Sequence, residues 1–214
     1  RVVLEGHTNS IWKAELLADR RILSWSESGT LRLLDGVTGT HLCVLENYIG
    51  DSCDSFEVLV DGRILSWWAH KTLRLWDGVT GACLAVFEGH TGEIYGVQVL
   101  VDGRILSWSE DKTLRLWDGA TGVCQAMLDG HRSRDVQVLT DGQMLSWCNQ
   151  IKGTQLIGGS DFTLRLWDRT TGACLAVLEG HKGWIYGVQV LADGRILSWS
   201  KDKTLRFWHG VTGM

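Results

Sequence analysis

The chain writes one short phrase five times. "LRLWD" or a close relative ends at Asp35, Asp77, Asp118, Asp168 and His209, in steps of 42, 41, 50 and 41 residues. A repeat of this length, carried through all 214 residues, constrains the fold more than any other feature. Each copy must be one supersecondary unit whose apolar faces are covered by neighbouring copies. The order inside a copy is constant. The third runs from Gly89-His90 through "IYGVQVL", the turn Asp102-Gly103, "RILSWS", the turn Glu110-Asp111-Lys112, "TLRLWD", "GATG" and "CQAML".

The apolar runs are short, rich in Val, Ile, Leu and Trp, and bounded by Gly, Asp and Thr, as strands are. Asp-Gly recurs at 61–62, 102–103, 141–142 and 193–194 and predicts hairpins, because both turn residues tolerate positive φ. No segment has the length or period of a helix. The expectation is an all-β chain in which each copy is a four-stranded antiparallel meander. There is no Pro, and there are 12 Trp.

Composition narrows the partners. A formal net charge of −4 leaves no basic excess for phosphate contacts, so no nucleic acid is expected. No apolar run approaches the roughly 18 residues of a membrane helix, and no signal-peptide pattern opens the chain, so no membrane is expected. Residue 1 is Arg, which suggests a monomeric domain of a longer chain. Of six cysteines, Cys43, Cys83, Cys124 and Cys174 share one repeat position and read as a buried packing thiol; Cys53 and Cys148 stand apart. Equivalent sites in a ring lie too far apart for disulfides, which points to a reducing compartment, the cytoplasm. There is no CxxC or HxxxH, so neither metal nor cofactor is expected.

Gly-His, Asp-Gly, Ser-x-Asp-x-Thr and Trp-Asp after Leu-Arg-Leu, at this period, resemble the WD-repeat family of β-propellers. Trp in the "LSWS" strands looks like its bacterial branch. The resemblance covers essentially the whole chain. It implies a single propeller of five blades over 1–214, with repeats at about 6–46, 47–88, 89–129, 130–179 and 180–214. The family places the outermost strand of a blade ahead of the next Gly-His. "RVVLEGH" at the start matches "LAVLEGH" at 175–181, so residues 1–5 are expected to complete the last blade and close the ring.

The third and fifth repeats also carry a Ser, an Asp and a His that could pass for a catalytic triad, and other repeats keep parts of it. In the third these are His90, Ser107 and Asp111, with Trp117; in the fifth, His181, Ser198 and Asp202, with Trp208. A nucleophile needs one site, whereas this pattern recurs. The resemblance implies a structural tetrad, so no catalytic residue and no enzyme is expected. Erosion fits that view. Repeat one has Ser28 for Asp and Leu34 for Trp, and repeat two has Tyr48 for His and His70 for Asp. Repeat four keeps His131, Asp161 and Trp167, with Ser146 unassigned. A column of Arg32, Arg74, Arg115, Arg165 and Arg206 stands two residues before each Trp position, where alternation puts guanidinium and indole on one face.

Function is sought where the repeats disagree. Repeat four has an insertion within 148–159 and a shortened loop before it, both on the face the family calls the top. Arg132, Arg134 and Lys152 make a basic cluster there, either a contact patch for an acidic partner or neutral loop drift. A second varying column, Trp12, Asp54, Tyr95, Arg134 and Tyr186, follows the Ile of each first strand, and Trp184 lies beside it. These rings either bind a partner or pack over the central channel. The leading expectation is a non-catalytic protein-interaction or scaffold module that binds a partner protein or peptide on the top face. The alternatives are a small-ligand or glycan-binding propeller, or a fragment of a larger WD-repeat sensor or scaffold.

Overall fold

The computed structural model describes residues 6–45, 53–68, 71–129, 135–139, 142–148 and 162–209. Among them are nineteen strands and no helix. Sheet one holds β1 (Ile11–Leu16), β2 (Arg21–Ser26), β3 (Leu31–Asp35) and β4 (His41–Leu45). Sheet two holds β5 (Cys53–Val58), β6 (Ile64–Trp68), β7 (Leu73–Trp76) and β8 (Cys83–Phe87). Sheet three holds β9 (Ile94–Val99), β10 (Ile105–Ser109), β11 (Thr113–Trp117) and β12 (Cys124–Asp129). Sheet four holds β13 (Asp135–Val138), β14 (Gln143–Trp147), β15 (Leu164–Asp168) and β16 (Cys174–Leu178). Sheet five holds β17 (Ile185–Val190), β18 (Arg195–Ser200) and β19 (Leu205–His209).

Within each sheet the strands lie side by side in chain order, as a meander requires. Sheet five has three strands among the described residues. Residues 1–5, expected to add its fourth, lie outside them.

The Asp-Gly turns use their two residues differently. The glycine takes positive φ, 84° at Gly62, 83° at Gly103, 88° at Gly142 and 81° at Gly194, whereas Asp61, Asp102 and Asp193 do not. Asp61 instead accepts the Arg63 N–H at 3.1 Å and the Arg63 Nε–H at 2.7 Å. Aspartate is there for its carboxylate, which stabilises the turn two residues on. In sheet one Arg20 holds the same left-handed position at φ 70° without being glycine.

The chain divides into two compact units, Arg1–Ile94 with Asp118–Val123, and Tyr95–Trp117 with Cys124–Met214. In the first, strand register sorts the apolar side chains. β2 and β3 pair Leu23 with Leu33 and Trp25 with Leu31. Alternation therefore puts these four on one face and Ile22 and Leu34 on the other. The Leu-Trp face packs against Ile64, Trp76, Phe56 and Val58 of sheet two. Trp25 meets Phe56 edge to face at 4.8 Å. The second unit repeats the arrangement twice. Leu106, Leu114 and Leu116 of sheet three pack on Met144, Trp167, Val136 and Val138 of sheet four. Leu145, Trp147, Leu164 and Leu166 of sheet four pack on Ile185, Ile196, Trp208, Val188 and Val190 of sheet five. Each leucine fully buried this way contributes roughly 1.5–3 kcal/mol.

The cysteine column is not the buried packing position expected of it. Cys83 and Cys174 are exposed, and Cys43 and Cys124 are half-buried. Each sits on β4 or its counterpart, last in its sheet, where less of the strand is covered.

Candidate functional site

Sheet five holds the complete polar chain. The Trp208 Nε1–H donates to Ser198 Oγ at 2.8 Å. Ser198 Oγ lies 2.8 Å from His181 Nε2. His181 Nδ1 lies 2.8 Å from Asp202 Oδ2. An ionised carboxylate only accepts, so His181 donates to it through Nδ1. The sequence places these groups by spacing alone. Ser198 and Trp208 are on paired strands, His181 opens the loop before β17, and Asp202 sits in the turn after β18.

Asp202 is over-satisfied. It also accepts the Lys182 N–H at 2.8 Å and the Thr204 N–H and Oγ–H at 2.9 and 2.7 Å. Desolvation opposes its charge. Together, the bonds from Thr204, Lys182 and His181 outweigh that and hold the carboxyl far below the usual carboxylate range. Gly180 completes the loop. Its φ is 148°, and a Cβ there would lie 2.7 Å from Arg206 Nη1. The glycine of the Gly-His pair is therefore demanded by backbone conformation, while the end of Arg206 packs close over it.

The other sheets keep parts of the chain. Trp76 donates to Ser66, Trp117 to Ser107 and Trp167 to Ser146, each at 2.8 Å. Ser146 thereby joins the column that the sequence left open. Asp111 accepts from the Thr113 N–H and Oγ–H at 2.9 and 2.7 Å, and His90 is buried. In sheet one His7 Nε2 lies 2.8 Å from Ser24 Oγ. Burial, then the charges of Arg32 and His41, push His7 below the ordinary imidazole value, against its bond with Ser24. With Ser28 in place of aspartate, a run of hydroxyls links Ser26, Ser28 and Thr30 at 2.9 and 3.0 Å. Tyr48, His70, His131 and Asp161 lie outside the described residues.

The arginine column stacks as its alternation implied. Arg74, Arg115 and Arg206 sit 5.8, 5.8 and 6.0 Å from the rings of Trp76, Trp117 and Trp208. The "WD" aspartates cap turns. Asp118 Oδ1 accepts from the N–H groups of Ala120 and Thr121 and from the Thr121 hydroxyl. These bonds, those of Thr121 first, hold its carboxyl below the usual value.

A Ser-His-Asp line is chemically poised for acyl transfer only if an electrophile can reach the hydroxyl. Ser198 has no exposed surface, and its oxygen already accepts from an indole.

The varying column is different. Register breaks between Ile11 and Lys13, between Cys53 and Ser55, and between Ile185 and Gly187. Residues 12, 54 and 186 are therefore the extra residues of β-bulges, which at Trp12 and Tyr186 re-aim the side chain out of the ladder. Trp12 is 49% exposed and Tyr186 47%. Tyr95 is half-buried. Trp184 packs edge to face on Phe162 at 5.6 Å, and its carbonyl accepts the Lys201 N–H at 2.8 Å. Arg132, Arg134, Lys152 and nearly all of 148–159 lie outside the described residues.

The sequence reading found the column but not the bulges that expose it. A Cβ on Gly96 or Gly187 would collide with the indole of Trp108 or Trp199.

Comparison with known proteins agrees with the repeat. The model of the WD domain, G-beta repeat, matches residues 81–118, 122–168 and 172–209. A solved structure of a computationally designed protein, Ika8, is similar over 96% of this chain at 25% identity and a TM-score of 0.67. The chain spans 60% of that protein's length. No curated protein sequence matches.

Proposed function

The chain belongs to the WD-repeat family, and from that premise we propose that it is a non-catalytic interaction module of propeller type that binds a partner protein or peptide on its top face. WD40 repeats generally mediate protein–protein interaction or scaffolding. The observation that carries the reading is the bulge column. At one repeat position the strands project Trp12 in one compact unit and Tyr186 in the other, both half-exposed, while neighbouring residues hold the ladder. Trp and Tyr are residue types enriched at interface hot spots, where a large rigid ring is ordered at low entropic cost.

The absence of catalysis is part of the proposal. A serine with no exposed surface that accepts from tryptophan supports a structural role. Arg132, Arg134 and Lys152 extend the proposal to an acidic partner, on sequence alone. The cytoplasmic location is likewise proposed, with free thiols at Cys43, Cys83, Cys124, Cys148 and Cys174 in accord.

The test is affinity capture with the whole chain, followed by titration of the recovered partner. Trp12→Ala or Tyr186→Ala should weaken binding by about 1–3 kcal/mol while moving stability by no more than about 0.5 kcal/mol. Binding that survives both changes, or labelling of Ser198 by a serine-directed phosphonate, overturns the reading.

A further inference from the structure

Repeat four departs from the others at one more position. Residue 169 is Arg, where repeats one, two, three and five have Gly36, Gly78, Gly119 and Gly210. The small residue has a physical reason. A Cβ at Gly36 would collide with the Arg20 carbonyl, and one at Gly78 with the Gly62 carbonyl, each in the hairpin turn of the same sheet. Arg169 carries a Cβ, so the corresponding Gly142 cannot approach it in the same way. The Arg169 guanidinium instead lies over Gly142, 3.6 Å from where a Cβ would stand.

A cavity of about 400 Å³ opens at this point, between the ends of β9 and β13 and wholly within the second compact unit. That volume is in the range of small-molecule sites. Val99, Leu100, Val101, Val138 and Leu139 give it an apolar wall, and Gln98 and Arg169 bring polar ends to it.

The arginine is short of acceptors. Asp102 takes the Nε–H and Nη2–H of Arg104 at 3.0 and 2.8 Å. Bonds from Arg104, with a smaller pull from Arg169, hold the Asp102 carboxyl below the usual carboxylate value against desolvation. Asp102 is thus an anion committed to Arg104, and it lies 3.7 Å from Arg169 Nη2, beyond hydrogen-bond distance. The Arg169 carbonyl accepts from Arg104 Nη1 at 3.0 Å. No other acceptor meets the Arg169 guanidinium among the described residues. In the first compact unit the matching Arg21 has Asp19 to itself and donates to the Gly78 carbonyl, where no side chain follows.

We propose that this cavity binds a small organic carboxylate with a branched aliphatic or aromatic body, its carboxylate on Arg169 and its body against Val99, Val101, Val138 and Leu139. A guanidinium donates two parallel N–H bonds to a carboxylate, and Asp102 leaves those donors open. The apolar wall selects a ligand with carbon to bury over a bare inorganic anion. A sugar would leave its hydroxyls against valine and leucine without partners. The site stands at the other end of β9 from Tyr95 and shares no residue with the bulge column.

The experiment is calorimetric titration of the whole chain with monocarboxylates of about four to nine carbons, linear, branched and aromatic, each paired with its uncharged primary amide. At least one acid should bind saturably at one site, with its amide about tenfold weaker or more. Arg169→Gly, which installs the residue of the other repeats, should weaken that acid about tenfold or more and remove its advantage over the amide. Val101→Asp puts a carboxylate on a side chain that is 98% exposed, so the urea midpoint should stay unchanged. It should weaken the acid and leave the amide unchanged. Should Arg169→Gly unfold, Arg169→Lys, which keeps the charge and loses the fork, carries the test with Val101→Asp and should weaken the acid less than Val101→Asp does. A panel with no saturable binder overturns the proposal. So does an amide that binds as tightly as its acid, or an affinity that none of these substitutions moves. None of these outcomes bears on the bulge column, which partner titration tests separately.

Discussion

Sheets one and five read the same residue order and treat the same buried groups differently. In sheet five, indole, hydroxyl, imidazole and carboxylate form one unbroken line through Trp208, Ser198, His181 and Asp202. In sheet one the line is cut at both ends. Leu34 asks for no hydrogen bond, and Ser28 bonds sideways to Ser26 and Thr30. Only His7 to Ser24 remains of the shared path. Losing the indole strands no donor, and the groups left behind stay satisfied, because Ser24 and His7 bond each other and His7 is partly exposed. Repeat one is an edited scaffold.

The comparison breaks most severely at Ser198. Ser198→Ala strands the Trp208 N–H and the His181 Nε2 in a buried site, with an expected loss of about 3 kcal/mol in urea unfolding. Ser24→Ala, its counterpart, should cost about 1 kcal/mol, since only a partly exposed His7 loses a partner. Equal losses at the two serines would show that the line in sheet five carries no extra weight.

Between those extremes lies the strand facing each tryptophan. Gly187 leaves room for Trp199, while sheet one has Lys13 there, its ammonium 5.2 Å from the Trp25 ring. Gly187→Ala should cost about 1–2 kcal/mol, because a Cβ must push the indole aside. A neutral result would mean that the ring shifts freely across its exposed face.

The smallest expected effect is in acid. Asp202 is held ionised, so its contribution is present in full above the ordinary carboxylate value of 3.8 and is lost as pH falls below it. Asp202→Asn should make the acid limb of the stability profile shallower. Ser28→Asp in sheet one should make it steeper if the new carboxylate finds His7 as Asp202 finds His181. An acid limb unchanged by Asp202→Asn would contradict the depressed carboxyl.

Much of this was legible in the sequence. Strands, meander order and the serine-to-tryptophan bonds follow from alternation and spacing, because side chains two apart share a face and paired strands set register. The "WD" aspartate and the Gly-His loop were legible as positions, though the turn cap and the positive φ of the glycine were not. The buried-thiol reading failed because repeat position does not say how well a strand is covered: Cys83 and Cys174 stand on the last strands of their sheets. The Asp-Gly turns were found, though not that the glycine takes the positive φ while the aspartate accepts hydrogen bonds.

Local hydrogen-bonding types and period-two alternation are written into short stretches of chain, so the sequence by itself determined the strands, the repeat and the polar line. Bulges and coverage are not local. Trp12 and Tyr186 face outward because register slips by one residue against a partner strand. Leu164 and Leu205 stand in nearly the same phrase, "TLRLW" and "TLRFW", yet one is fully buried and the other mostly bare. Only the tertiary structure decides between them, because burial belongs to the neighbour that covers a face and not to the residue that presents it.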